Sequence, residues 1–255
     1  MYKNMPLGIF SEGTGLREKL RLASVGGFEG VDIDIKEATA LLEKYSPAYV
    51  KGMIDSFNLK AGAWTLPFAV DAEEDVYAEG MKNLERYVRT AKEINALRVL
   101  VAGGASPDKT RANLCRERFA FLTKLLKKDG CTVALDCPGG CNADMEDAGL
   151  VLNARRWHLS GGSVEDLKKI SKDRVVYVRL GDVSADKAGM YLPGETGVVD
   201  LAGFLSALAE IHYDGPVAPE LPDRNLLTLP EEMAVRFLGG SLLRVWTGIF
   251  KETSG

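Results

Sequence analysis

Short apolar segments alternate with longer segments of helical periodicity along most of the chain. The short segments have the length and the β-branched content of buried strands, whereas the longer ones space their apolar residues three or four positions apart. Strands and helices that alternate in this way are typical of a parallel sheet with helical crossovers. The predicted strands are residues 6–10, 31–35, 59–64, 97–103, 131–136, 149–153, 175–180 and 216–221, and the predicted helices are residues 14–25, 37–57, 72–95, 110–129, 163–171, 200–211 and 230–250.

Eight strands are the number that a (β/α)8 barrel requires. The 255 residues suit one such barrel, and no Pro/Gly/Ser linker or block of charge divides them. We therefore expect an α/β protein with a single TIM-barrel domain over residues 1–255. One unit departs from the pattern, because a Pro-Gly-Gly segment follows Asp136 and leaves room for only about one helical turn before the next strand. The fifth helix is expected to be shortened or missing.

Three segments in the second half carry a family pattern: GLVLNARRWHLSGGSVEDL (149–167), DRVVYVRLGDV (173–183) and LPGETGVVDLAGFLSALAEIHYDGPVAPEL (192–221). Together they resemble the last three strand–helix units of the sugar-phosphate isomerase/epimerase family, the xylose-isomerase-like TIM barrels of the AP-endonuclease-2 superfamily. The N-terminal half resembles the same family through SVGGFEGVDIDI (24–35). The resemblance implies a TIM barrel and proton transfer beside the carbonyl of a sugar-like substrate.

The resemblance also implies a metal site, which this sequence does not retain. In the family a manganese, magnesium or zinc ion is held by Glu, Asp, His and Glu from strands five to eight, and those positions here are Asp136, Asn153, Arg179 and Glu220. An Asn oxygen is a weak neutral ligand, and an Arg stays protonated and has no lone pair to offer. A hard divalent ion needs several oxygen or imidazole donors. We therefore expect no metal and no other cofactor.

Charge considerations suggest what replaces the ion. Two carboxylates at the barrel mouth, Glu220 and Asp136, would repel each other unless a cation intervened. Arg179 lies on the neighbouring strand and is predicted to bridge them through bidentate hydrogen bonds. An inert salt bridge in a site without activity is the alternative. For an active site, we expect Glu220 as the base and Asp136 or His158 as the partner acid.

Further residues are candidates for binding the substrate. Arg156 occupies the position of the family's substrate-contacting His, and together with Arg179 it would suit a carboxylate or a phosphate. Whether Arg155 or Arg156 faces the pocket is left open. Asn153, at the position of a family metal ligand, is a further candidate. Trp64 is either a pocket wall or a core residue, and Asp182 is either a substrate contact or, preferably, a loop organiser. Asp34, like Asp32 and Glu12, is a strand-end acid that either binds sugar hydroxyls or is solvated.

The bulk composition restricts the kinds of partner that we expect. A net charge of −4 does not indicate the basic surface that binds nucleic acid, and the apolar runs are far too short for a membrane span. The N-terminus has no secretory leader, and four cysteines in this length do not suggest a disulfide scaffold, so a cytoplasmic location is expected. Cys137 and Cys141 have a C-x3-C spacing with no second pair, which argues against a zinc cluster.

Two functions follow. The first is a metal-independent isomerase or epimerase that acts on a sugar-like, sugar-phosphate or sugar-acid substrate. The second is a catalytically inactive family member that binds an anionic metabolite or serves as a partner subunit. The expected partner is a small molecule, with no nucleic acid and no membrane, and homo-oligomer formation is left open.

Overall fold

Parallel strands form a nearly closed barrel in the computed structural model, which describes residues 1–103, 109–136, 149–187, 189–222 and 226–252. Around the barrel the order is β3-β2-β1-β9-β8-β7-β6-β5-β4, and each neighbouring pair is parallel. The strands are β1 (Tyr2–Met5), β2 (Gly30–Val31), β3 (Lys60–Ala61), β4 (Ala63–Thr65), β5 (Arg98–Ala102), β6 (Thr132–Asp136), β7 (Gly149–Asn153), β8 (Val175–Leu180) and β9 (Pro216–Pro219).

The strands β3 and β4 lie at the two ends of this order, yet only Gly62 separates them in the chain. They are therefore two halves of the third strand of an eight-unit barrel. Backbone hydrogen bonds from Gly62 to Val31 and from Ile33 to Ala63 continue the ladder on either side of the break. The predicted TIM barrel is confirmed.

Helices follow the strands and cover the outside of the barrel. They are α1 (Leu16–Val25), α2 (Ile35–Lys44), α3 (Pro47–Ser56), α4 (Glu74–Lys82), α5 (Leu84–Glu93), α6 (Lys109–Lys127), α7 (Ala154–Leu159), α8 (Val164–Leu167), α9 (Leu201–Glu210) and α10 (Glu231–Glu252). Within the described part of the chain, none of these helices combines the length and the apolar character that crossing a membrane would require.

The prediction of the first strand is wrong. The strand is Tyr2–Met5, and the apolar segment chosen for it contains a 3-10 turn at Leu7–Ile9. Pro6 has no backbone N–H and ends the ladder. The true strand contains Asn4, a fully buried polar residue, and this residue breaks the apolar pattern that marks the other strands.

Three predicted helices differ in their bounds. The segment 37–57 is two helices, because Ser46 caps a new helix with Pro47 in its first turn. The segment 72–95 is likewise divided at Asn83, and 163–171 contains only the short helix α8. The expectation for the fifth helix concerns residues 137–148, which lie outside the described residues, as do Cys137 and Cys141.

The core consists of two apolar clusters. The larger one packs the helices against the outside of the strands. The smaller one contains three alanines, whose side chains occupy little volume; its members are Ala63, Leu100, Ala134, Val176, Tyr177 and Ala218. This packing leaves room for polar groups beside Tyr177 at the carboxyl ends of the strands.

Candidate active site

A cavity of about 630 Å³ opens at the carboxyl ends of the strands. Residues that follow β1, β2 and β9 line it together with residues of β4, β5 and β8. This end of a TIM barrel is where its active sites lie. The polar side chains on the wall are those of Asp32, Asp34, Lys36, Thr65, Arg179 and Glu220.

Glu220 follows β9 and is held by groups from the β7–α7 junction. Arg155 donates from Nε to Oε2 at 2.9 Å and from Nη2 to Oε1 at 3.0 Å, and Asn153 donates from Nδ2 to Oε1 at 2.9 Å. Burial favours a higher pKa for Glu220, but the hydrogen bonds from Arg155 and Asn153 outweigh it and hold the pKa below its ordinary value. Glu220 is therefore an ionised carboxylate with a fixed orientation.

Asn153 has two roles in this arrangement. Its Oδ1 accepts the backbone N–H of Arg156 at 2.9 Å and caps α7, while its Nδ2 faces Glu220. Because α7 begins directly after β7, the cap places Arg155 over the carboxylate. Of the two arginines left open by the sequence, Arg155 is the one that pairs with Glu220.

Arg179 pairs with Asp136 and not with Glu220. The Nη1–Oδ1 distance is 3.0 Å and the Nη2–Oδ2 distance is 2.6 Å, so the contact is bidentate. The predicted bridge from Arg179 to both acids is wrong, because Arg155 already occupies both oxygens of Glu220. The site thus contains two separate guanidinium–carboxylate pairs.

A third polar group lies deeper in the barrel. Asp32 Oδ2 accepts the Tyr177 hydroxyl at 2.6 Å, and Oδ1 accepts Asn4 Nδ2 at 2.8 Å and the backbone N–H of Ala63 at 2.9 Å. Asn4 Nδ2 also lies 3.1 Å from the Tyr177 hydroxyl. Burial raises the pKa of Asp32 to about 6, although these hydrogen bonds oppose the shift.

Sequence reasoning named Asp32 only as a strand-end acid and did not name Asn4 or Tyr177. One signal was available for Tyr177. It lies two residues before Arg179 on β8, and residues two apart on a strand face the same side. For Asn4 the misplaced first strand concealed the signal.

Two of the candidate substrate-binding residues have roles in the structure of the barrel. Trp64 is 1% exposed, donates from Nε1 to the Ala96 carbonyl at 2.9 Å and belongs to the larger core cluster, so its proposed place on the pocket wall is wrong. Asp182 is fully buried and accepts the backbone N–H groups of Val183, Thr196, Gly197 and Val199, which makes it the preferred loop organiser.

The other predicted positions differ in their relation to the cavity. Asp34 is on the wall, where its Oδ1 caps α2 by accepting the N–H groups of Lys36 and Glu37. His158 and Arg156 lie on α7, and neither is among the described residues that line the cavity. Glu12 is exposed and lies beyond the 3-10 turn, away from any strand end.

The protein has an eight-unit parallel barrel with polar side chains at the carboxyl ends of its strands, which places it in the class of TIM-barrel proteins. The sequence pattern of one TIM-barrel family, described as "xylose isomerase-like TIM barrel", matches residues 20–238, so the chain belongs to this family. A comparison with curated proteins found no match.

Solved structures share the fold over nearly the whole chain. A xylose isomerase domain protein from Alicyclobacillus acidocaldarius is 20% identical, with a TM-score of 0.75 over 97% of this chain and 98% of that one. The IolI protein with a bound zinc atom is 18% identical, with a TM-score of 0.72 over 96% and 98%. A 3-keto-D-glucoside 4-epimerase from E. coli is 17% identical, with a TM-score of 0.71 over 96% and 98%. At these identities the likeness concerns the fold.

The residues at the family's metal position do not fit a divalent ion. Both oxygens of Glu220 accept from Arg155, and both oxygens of Asp136 face Arg179. A guanidinium cannot be a ligand and repels a cation placed beside it. Among the described residues, no group of three or more His, Cys, Asp or Glu side chains is arranged to hold a metal ion.

Proposed function

We propose that this barrel transfers a proton beside the carbonyl group of a sugar-like or sugar-acid substrate, as an isomerase or epimerase, without a divalent metal ion. Family membership and the cavity at the carboxyl ends of the strands support the site of reaction. The polar wall supports the class of substrate, because it offers both hydrogen-bond acceptors and a fixed cation.

The observation that carries the proposal is the position of Arg179. Its guanidinium lies on the cavity wall, and Asp136 orients it through two hydrogen bonds. Removing a proton beside a carbonyl places negative charge on the carbonyl oxygen. A preorganised cation stabilises that charge, and loss of one such donor in an enzyme costs about a hundredfold to a thousandfold in rate. Arg179 would supply the stabilisation that a metal supplies elsewhere.

Glu220 has a binding role in this proposal. Its carboxylate is locked by Arg155 and Asn153 and has a lowered pKa, so it is a weak proton acceptor and a good partner for substrate hydroxyls. The expectation from sequence that Glu220 is the base remains a prediction, which these contacts do not favour.

Hydrogen–deuterium exchange tests the proposal. Wild-type protein is incubated in D2O with D-fructose, D-xylulose and 2-keto-D-gluconate, and deuterium at the carbon beside the carbonyl is followed by NMR. We expect exchange on at least one substrate and a loss of about a hundredfold in Arg179→Gln. Arg21→Gln, which removes exposed ion pairs with Glu18 and Glu232, is the matched control and should exchange at the wild-type rate. Absence of exchange on all three substrates would overturn the proposal.

A second function, binding of an anionic metabolite without turnover, is favoured by the pairing of both retained carboxylates with arginines. Thermal shifts with phosphate, citrate and D-gluconate separate the two functions. A ligand at about one hundred times its dissociation constant stabilises the folded state by about 2.7 kcal/mol. Stabilisation of that size by one of these anions, with no exchange on any sugar, would favour the binding protein.

A further inference from the structure

Among the described residues, two carboxylates on the cavity wall are not paired with a guanidinium: Asp34, whose Oδ1 caps helix α2, and Asp32. Asp32 lines the cavity at the end of β2. Within the described residues its hydrogen bonds come from neutral donors, the Tyr177 hydroxyl, the Asn4 amide and the Ala63 N–H. Glu220 and Asp136, by contrast, each form an ion pair with an arginine.

The donors around Asp32 leave one oxygen less committed than the other. From the described residues, Oδ1 accepts two hydrogen bonds, from Asn4 and Ala63, whereas Oδ2 accepts one, from Tyr177. A carboxylate oxygen has room for about two hydrogen bonds, so within this part of the chain Oδ2 retains one lone pair that accepts none. An acid on the cavity wall with a free lone pair has the geometry of a proton acceptor.

The charge environment is consistent with this role. Burial raises the pKa of Asp32 to about 6, and the positive charge of Arg179 opposes the shift together with the three hydrogen bonds. In the part of the chain that the structure describes, the other titratable groups that face Asp32 are the hydroxyls of Tyr177 and Tyr2. Burial raises the pKa values of both hydroxyls, so they stay neutral at physiological pH. A base acts best when its pKa is close to the working pH.

We infer that Asp32 is the base that removes the proton beside the carbonyl, with the Tyr177 hydroxyl as the group that orients it. The inference rests on the proposed function. In the step, the C–H bond breaks and an O–H bond forms on Asp32, while the C–H electron pair forms a carbon–carbon double bond and the carbonyl electrons move to the oxygen beside Arg179. Return of the proton to the same carbon restores the carbonyl and the Asp32 carboxylate. Return of the proton to the former carbonyl carbon gives the isomer, and the neighbouring hydroxyl proton then passes to the former carbonyl oxygen, so no oxidant or reductant is needed in either case.

The test is the pH dependence of deuterium exchange, with the three substrates named above, in wild type, Asp32→Asn and Tyr177→Phe. The base must be deprotonated, so the wild-type rate should rise with pH and level off above a midpoint near 6. Asp32→Asn should lose at least a hundredfold. Tyr177→Phe should keep exchange but move the midpoint to higher pH, because a hydrogen bond that favours the carboxylate is lost. Asp55→Asn, on the exposed face of α3, is the control and should match wild type.

The outcomes separate this inference from the function on which it rests. No exchange by wild type on any substrate would overturn both. If wild type catalyses exchange and the rate of Asp32→Asn is more than half of the wild-type rate, the role of Asp32 alone would be overturned. If Asp32→Asn does not fold, Tyr177→Phe decides the question, since an unchanged or lower midpoint contradicts the inference and a higher midpoint supports it.

Discussion

The Asp32 side chain combines three hydrogen bonds with a loss of hydration that favours its neutral form. Its carboxyl is partly buried among Tyr177, Asn4 and Ala63, and its pKa of about 6 lies above the ordinary value of 3.8. A carboxyl whose pKa is raised by folding binds its proton more tightly in the folded state. Its contribution to stability is therefore complete below pH 3.8 and is lost as the pH rises through 6.

The corresponding prediction concerns Asp32→Asn, which cannot ionise. Relative to wild type, this variant should become more stable by about 2 kcal/mol between pH 4.5 and pH 7.5, so its free energy of unfolding should increase by that amount relative to the wild-type value. Urea denaturation at the two pH values measures this difference, in which contributions from all other titrating groups cancel. A difference that is independent of pH would show that Asp32 has an ordinary pKa.

Gly62, between β3 and β4, lies against the polar cluster around this acid. A Cβ atom at this position would lie 2.3 Å from Asn4 Oδ1 and 2.6 Å from Asp32 Oδ1. Gly62→Ala should therefore destabilise the protein by about 1–3 kcal/mol, since the polar cluster would have to move. Gly52→Ala is the matched control. Its Cβ has open space on helix α3, and alanine there should stabilise by up to about 1 kcal/mol. Equal effects of the two substitutions in urea denaturation would contradict this account.

At the scale of elements, the junction between β7 and α7 builds the Glu220 site. Asn153 ends the strand, caps the helix and contacts Glu220, and the first turn of the helix supplies Arg155. The side chains of Arg155 and Glu220 are 15% and 9% exposed, so solvent screens this pair only weakly. Breaking such a pair leaves a charge buried without compensation.

Arg155→Met should accordingly destabilise the protein by about 3–5 kcal/mol. The double variant Arg155→Met/Glu220→Gln should recover more than half of that loss, because the unpaired charge is removed. Arg21→Met, which breaks exposed ion pairs with Glu18 and Glu232, should cost less than about 1 kcal/mol. Urea denaturation measures all three. A cost for Arg155→Met no larger than that for Arg21→Met would show that the pair contributes little.

The helix α7 also shows where sequence prediction reaches its limit. Its six residues are fewer than two full turns, so no hydrophobic periodicity reveals it. The strand before it was predicted with its observed bounds, because Gly149–Asn153 is an apolar segment with a polar end. The sequence therefore placed Asn153 at a strand end but could not show which arginine turns toward Glu220.

At the scale of the whole molecule, the barrel was predictable and the pairing inside its mouth was only partly so. Alternating apolar strands and amphipathic helices determine the architecture, whereas the contacts of Arg179 depend on which carboxylate another side chain already occupies. The pair of Arg179 with Asp136 is one half of the bridge that charge considerations predicted. Arg179 does not contact Glu220 because Arg155 pairs with Glu220 instead, and the family pattern did not single out Arg155.

In the proposed reaction Arg179 stabilises the negative charge on the carbonyl oxygen without a metal ion. The chain keeps the scaffold of a xylose isomerase-like barrel and has two guanidinium–carboxylate pairs at the family's metal position. If this is correct, chelators should affect neither the exchange reaction nor the stability of the folded protein.

The most direct test is deuterium exchange by wild-type protein, measured before and after prolonged treatment with excess EDTA and after addition of Mn²⁺, Mg²⁺ or Zn²⁺. The metal content of the same sample is measured by mass spectrometry. We expect exchange at an unchanged rate in all samples, with less than about a tenth of an equivalent of metal bound after treatment. Exchange that disappears with EDTA and returns with one of these ions would contradict a metal-independent reaction.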